Sequence, residues 1–332
     1  MWEVFNSIHD LPVGLWDEKI ARGSVSLDSR LMELCEASCR EDSFRYFLCR
    51  DTRKNLIGIF FVMLTRVHPV SLAGIRSARI NRAGFRAAVS ATPETSGAHF
   101  WFDPVAFTPE SFIRAVYREI TSLPDRFSVI LFRDFFSEET AIFKDILREM
   151  KFFSGEGLTV TRILMHENIH TPEDYQGTLS GKQRYDWRRY VKNLDKSRYR
   201  IEIPENYELS EIYPLYLEVN QRAREWRSVP RKLSYFSDLK KIYGEDAEML
   251  MIREVSTGKC LGWMLILFFQ KQSYLIYIGF SEIPELTLWH NLLIASIEHS
   301  ISKGVKMVDL GVTHELAKKR FGAKGLPVLV EF

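Results

Sequence analysis

The run KGVKMVDLGVTHELAKKRFGAKGLPV, Lys303 to Val328, decides how the rest of the chain is read. Gly304 is placed to close a preceding helix with a left-handed cap. After it a strand and a short helix are expected. A last strand finishes the chain. Strand, helix and strand in this order are the closing unit of an α/β domain.

Working outward, an amphipathic helix over Glu285–Lys303 feeds this unit, and a strand over Ser273–Phe280 precedes the helix. Glu248–Val255 and Cys260–Phe269, separated by Ser256, Thr257, Gly258 and Lys259, form a β-hairpin. Helices are expected at Pro172–Ser197, Leu209–Arg227 and Leu233–Tyr243. The first half repeats the order: strand Trp2–Phe5, helix Leu27–Cys39 with Ser26 and Asp28 marking its start, and a hairpin of Phe44–Arg50 with Leu56–Thr65. An irregular stretch over 66–97 follows. Helix Pro109–Ser122, strand Phe127–Phe132, helix Glu138–Met150 and strand Leu158–Met165 then alternate. The expected boundary lies near Glu167–Thr171, giving domains 1–168 and 169–332.

Composition agrees with two folded domains. The 332 residues are 46% hydrophobic, 13% aromatic and 27% charged, with a net charge of only +2, so affinity for a polyanion must come from local clustering. No apolar run is long enough for a membrane helix, and Glu3, His9 and Asp10 near Met1 are unlike a secretory signal, so a cytoplasmic protein is expected. Cys35, Cys39, Cys49 and Cys260 have no paired metal-ligand spacing; no metal site is expected and the thiols are read as packing groups.

The densest positive patch is KQRYDWRRYVKNLDKSRYR, Lys182–Arg200. Arg184, Arg188, Lys192 and Lys196 recur at helical spacing as one stripe, suited either to a phosphate backbone or to a solvated face. Arg76, Arg79, Arg82 and Arg86 form a second basic stretch, for contact with a ligand in a cleft or for an exposed loop. There is no serine elbow and no phosphate loop of the Walker type.

With Gly304, Asp309, Gly311, Lys318, Phe321 and Gly322 in place, the C-terminal run resembles the closing segment of Fem-like members of the GNAT acyltransferase superfamily. That group includes the aminoacyltransferases that build peptidoglycan bridges and related N-acyltransferases. The order of Leu215–Arg224, hairpin and Tyr274–Phe280, and the opening with Trp16, Asp17 and Leu27, match the same pattern. The resemblance implies two tandem GNAT-like domains, each a mixed sheet flanked by helices, with the donor site mainly on the second. It also implies amide formation between an activated acyl or aminoacyl group and an amine. The donor would be aminoacyl-tRNA, the favoured reading, or acyl-CoA, each a co-substrate rather than a tightly bound cofactor. The turn Ser281–Thr287 has no glycine, while Glu282 and Glu285 oppose an anion, which disfavours a conventional CoA loop. A different class of reading is a silent module that binds a polyanion or a cell-wall precursor.

Aminolysis needs a neutral amine, stabilisation of a tetrahedral oxyanion and a proton for the leaving group. By the resemblance Lys318 faces the donor; the alternative is a surface lysine in the row Lys318, Lys319 and Arg320. Asp309 is a candidate to orient the amine or accept its proton, or a cap for the next turn, and Tyr277 is a candidate acid or a core aromatic. Lys319 and Arg320 join the phosphate-binding set, and His290 and His314 have the intrinsic pKa for proton transfer.

Overall fold

The computed structural model describes residues 1–20, 24–39, 41–67, 84–136, 143–223, 230–283 and 286–331. They divide into two compact units, Met1–Leu158 with Pro327–Phe332, and Thr159–Leu326. The division falls ten residues ahead of the expected boundary. The closing segment, assigned from sequence to the second domain, belongs to the first unit.

In the first unit the elements are β1 (Trp2–Phe5), α1 (Val13–Ile20), α2 (Ser29–Ser38), β2 (Ser43–Arg50), β3 (Leu56–Val67), β4 (Phe85–Ser90), β5 (Phe100–Phe102), α3 (Pro109–Thr121), β6 (Val129–Phe136), α4 (Lys144–Glu149) and β7 (Ser154–Glu156). Asp28 caps α2 by accepting from the Arg30 amide, and Thr108 caps α3, where a proline occupies the first turn. The β2–β3 hairpin turns at Asp51, whose carboxylate accepts from the amides of Arg53 and Asn55. Its inner face stacks Phe47 on Phe60, and α3 adds Phe112, Ile113, Val116 and Ile120 to that core.

The second unit contains β8 (Val160–Leu164), α5 (Pro172–Thr178), α6 (Gly181–Asn193), β9 (Tyr199–Glu202), α7 (Leu209–Arg222), α8 (Leu233–Tyr243), β10 (Ala247–Glu254), β11 (Cys260–Phe269), β12 (Gln272–Phe280), α9 (Leu288–Ser302), β13 (Met307–Val312), α10 (Glu315–Lys319) and β14 (Lys324–Leu326). The last strand, β15 (Val328–Glu331), completes the first unit. One helix had been expected over Pro172–Ser197; there are two, because Ser180 and Gln183 form a reciprocal capping box that starts a new helix after Leu179.

The sheets have parallel logic. The second runs β14-β8-β13-β12-β11-β10-β9, and the first, read from its far edge, runs β7-β15-β6-β4-β3-β2-β1, with β5 added beside β3. Position for position the two orders match, including one parallel pair in each, β12 with β13 and β4 with β6. The strands beside β13 and β6 are exchanged: β8, made just after the first unit, serves the second sheet, and β15 serves the first. Duplication is thus visible in topology where it was an inference from element order.

Two glycines shape the helices of the second unit, one where a helix crosses the sheet and one where a helix ends. A Cβ on Gly279 would stand 2.5 Å from Trp263 Nε1 and 2.8 Å from the Tyr216 amide nitrogen, so α7 crosses β12 only because this residue has no side chain. On the other face α9 buries Leu292, Leu293, Ile294 and Ile297 against the sheet. Gly304 has φ of 68° after α9, the left-handed conformation expected of a helix terminator.

Candidate functional site

The parallel pairing of β12 with β13 lasts three residues, Gln272–Tyr274 against Met307–Asp309. Beyond it the strands part: β13 continues beside β8, and β12 continues beside β11. Among the described residues, the β13-facing edge of β12 from Leu275 onward has no strand partner. Within that stretch the β11 register slips, Leu265 opposing Tyr277 while Ile266 opposes Leu275, so Ile276 is an extra residue. Such a bulge turns neighbouring side chains and backbone groups away from the regular ladder. Open ends of parallel strands are where α/β sheets receive ligands.

The tip of β13 is held from three sides. Asp309 is buried, pairs with Arg162 Nε at 2.8 Å and accepts from the Gly311 amide at 2.8 Å. Thr161 Oγ1 donates to the Gly311 carbonyl at 2.8 Å. The ammonium of Lys318 donates to the carbonyls of Gly311 at 3.1 Å and Val312 at 2.8 Å. These clamps secure a turn in which Gly311, Thr313 and His314 have φ of 71°, 66° and 51°, a costly conformation for the two non-glycine residues.

Lys318 is therefore no member of a surface row; it is 6% exposed, whereas Lys319 and Arg320 are exposed. Asp309 does cap the following turn, with its carboxylate engaged. Tyr277 stands in an aromatic group with Tyr216, Tyr235 and Phe236, and its hydroxyl accepts from Arg231 Nε at 3.0 Å. Arg231, Arg162 and Thr161 escaped the sequence reading because the strand and loop that carry them are remote in the chain from the residues they serve.

The histidines differ. His290, in the first turn of α9, is stacked on Tyr190 with ring centroids 3.8 Å apart. Burial first, then the charges of Arg320 and Arg189, push its pKa down to about 4, so it is neutral at physiological pH and packs as a flat ring. His314 is exposed, 5.9 Å from the Trp289 ring.

The basic stripe is shorter than its spacing suggested. Arg188 and Lys192 are exposed on α6. Arg184 turns inward to donate to the Leu179 carbonyl, closing the end of α5, and Lys196 lies beyond Asn193, where α6 ends. Lys319 pairs with Glu315. Arg76 and Arg79 lie outside the described residues, as does Arg82; Arg86 stands on β4 in the first unit. No group of three or more His, Cys, Asp or Glu with metal-ligand geometry occurs among the described residues. Burial pushes the Cys260 thiol up to about 11, which leaves it unreactive at neutral pH. None of the helices among the described residues is long and apolar enough to cross a membrane.

No protein-family model matches the sequence, and no curated protein matches it. Solved structures do. FemX aligns over 99% of this chain and 96% of its own with 11% identity and a TM-score of 0.67. A tandem GNAT protein from the clavulanic acid biosynthesis pathway aligns over 100% and 98% with 12% identity and a TM-score of 0.61. L-PGS from Bacillus licheniformis aligns over 97% and 91% with 11% identity and a TM-score of 0.60. At such identities the likeness is one of fold: the chain has two GNAT-like domains in tandem, the fold seen in FemX and in the tandem GNAT protein.

Proposed function

We propose that the chain is an N-acyltransferase whose donor lies between β12 and β13, and that the acyl group passes to an amine without a covalent enzyme intermediate. The observation that carries this reading is the parting of those strands after three paired residues. A strand edge left without a ladder partner offers backbone N–H and C=O groups to an extended, amide-bearing donor arm or an acyl carbonyl. The equivalent place in the first unit is filled by the chain itself. After Ser90 the backbone crosses to β6, where the Gly97 amide donates to the Asp134 carbonyl at 2.9 Å, and returns as β5 beside β3. That supports the second unit as the donor half.

In this mechanism Lys318 is a positioning residue: its ammonium fixes the β13 tip and lends positive potential near the developing oxyanion. Tyr277, with Arg231 beside its oxygen, is the candidate proton donor to the leaving group. Asp309, through its bonds to Arg162 and the Gly311 amide, keeps the tip in register rather than acting as the base.

The favoured donor is aminoacyl-tRNA, supported by the exposed Arg188, Lys192 and Arg320 and by Glu282, which opposes an anion while pairing with Arg222 at 3.5 Å. Titrating charged tRNA, uncharged tRNA and acetyl-CoA against the protein at several salt concentrations tests it. Binding of tRNA whose log affinity falls by roughly 0.7 or more per phosphate contact per log unit of salt is the expected result. Tight, salt-insensitive binding of acetyl-CoA alone would replace tRNA by acyl-CoA as donor. Neither binding would leave the silent-module reading.

A further inference from the structure

Among the described residues β9 is the outer strand of the second sheet, paired with β10 on one side alone. Its backbone alternates in direction. The Val255 amide donates to the Arg198 carbonyl at 2.8 Å, so Arg200 and Glu202, two and four residues on, also turn their N–H and C=O groups toward β10. Those of Tyr199, Ile201 and Ile203 turn outward. The Tyr199 N–H is taken by the Asp195 carbonyl at 2.9 Å, but no bond of that kind occupies Ile201 or Ile203 among the described residues. Ile201 shares the sheet face of Tyr199 and Ile252, which belong to the core, yet Ile201 and Ile203 are 42% and 40% exposed.

An open edge is a template for another strand, and the run Tyr-Arg-Ile-Glu-Ile, residues 199–203, is complementary to itself when laid antiparallel. Three registers bring its outward groups together in at least two pairs. Centred on Arg200, the pairing sets that cation against the partner's Arg200; centred on Glu202, it sets that acid against the partner's Glu202. Centred on Ile201, it sets Arg200 against the partner's Glu202 at both crossings, Ile201 against the partner's Ile201, and Tyr199 against the partner's Ile203. We propose that two copies of this chain join β9 to β9 about a twofold axis through Ile201, so that their second sheets become one. Arg200 pairs with Glu202 within the strand at 2.8 Å, and Glu202 also holds Arg253 at 2.8 Å. The Arg200 guanidinium has donors beyond the Nε used there, so it can bridge the axis as well. Charge and proline commonly keep an edge alone. Here the charges reject two registers and favour the third, and Pro204 lies outside the paired span. So short a strand sets a weak dimer that depends on concentration.

The test is sedimentation equilibrium of the full chain between about 5 and about 200 µM, the range that suits a small interface. The parent should pass from monomer to dimer across it. Arg200→Glu sets an acid against the partner's Glu202, and Glu202→Lys sets a cation against the partner's Arg200; each alone should associate at least about tenfold more weakly. Mixed in equal amounts, the two variants place an acid opposite a base at both crossings, and association should return to within about threefold of the parent. Ile201→Lys, at an exposed position that no ion pair uses, sets two cations on the axis and should abolish the dimer, so the pairing stays testable even where Glu202→Lys, beside Arg253, disturbs the fold. Circular dichroism on each variant separates a lost contact from a lost fold. A parent that stays monomeric throughout, Ile201→Lys that associates as the parent does, or two folded charge variants whose mixture fails to recover overturns the pairing. Nothing in it depends on the acyl-transfer reading, which those results would spare.

Discussion

His99 offers a direct test of how the first unit is held together. Its ring is wholly buried between Phe61 and Phe135, edge to face with both, and neither ring nitrogen has a hydrogen-bond partner among the described residues. Burial pushes its pKa down from 6.5 to about 3. In the unfolded chain the imidazole takes a proton below about pH 6.5; in the folded chain it stays neutral until about pH 3. The unfolded state thus binds more protons across that interval, and stability falls as the pH drops through it. At one and a half pH units below the unfolded value the loss is about 2 kcal/mol, approaching about 5 kcal/mol at the folded value. Replacing His99 by Leu removes this titration, along with two buried nitrogens that gain nothing from the fold. Urea denaturation of parent and His99→Leu, each at about pH 7 and about pH 5, isolates the effect, because the other titrating groups are common to both. The parent should lose about 2 kcal/mol more than the variant on acidification. A difference below about 0.5 kcal/mol would mean that the ring is hydrated or paired, and the reasoning would fail.

Three further outcomes are expected. Lys318→Met, which keeps the length of the side chain but loses the ammonium bonds to Gly311 and Val312, should cost about 2–3 kcal/mol in urea denaturation and lower acyl-transfer turnover more than tenfold; unchanged turnover would remove Lys318 from the mechanism. Gly279→Ala should destabilise by about 2 kcal/mol or more, because Trp263 or the α7 backbone must move, and thermal denaturation measures it. Arg162→Met strands the Asp309 carboxylate in a buried place and should cost about 3 kcal/mol, a loss that Arg162→Met with Asp309→Asn partly restores.

Much of the fold was legible because its elements are local. The second hairpin was placed to within a residue by alternating apolar runs around Ser256–Lys259, and Leu233–Tyr243 by helical period alone. β4 was missed inside the stretch left irregular, since Phe85–Ser90 carries two alanines and little β-branched character, and its strand state comes from pairing with β3 and β6. The Ser180–Gln183 cap was readable, yet the run of helix-favouring residues across it hid the break. At the site, proximity in sequence misled in one direction and distance in the other. Lys318 sits in a row of cations but is the one drawn inside, to carbonyls six and seven residues before it, whereas the β8 side chains that hold Gly311 and Asp309 come from about one hundred and fifty residues upstream. Side-chain direction was the second obstacle: Arg184 shares the spacing of Arg188 and Lys192, but the free carbonyl at the end of α5 claims it.

The exchanged strands set a timetable for synthesis. Among the described residues β7 reaches its sheet solely through β15, and β6 shows an open edge until β15 arrives, since Phe136 pairs with Val328 and Glu156 with Leu329. A ribosome that has released the first 158 residues has therefore delivered a sheet with a vacant slot, and the nascent chain must carry that sticky margin until the second unit has been made. A product cut short before Val328 is therefore expected to aggregate where the full chain does not, and sedimentation of such a truncation beside the parent would show it.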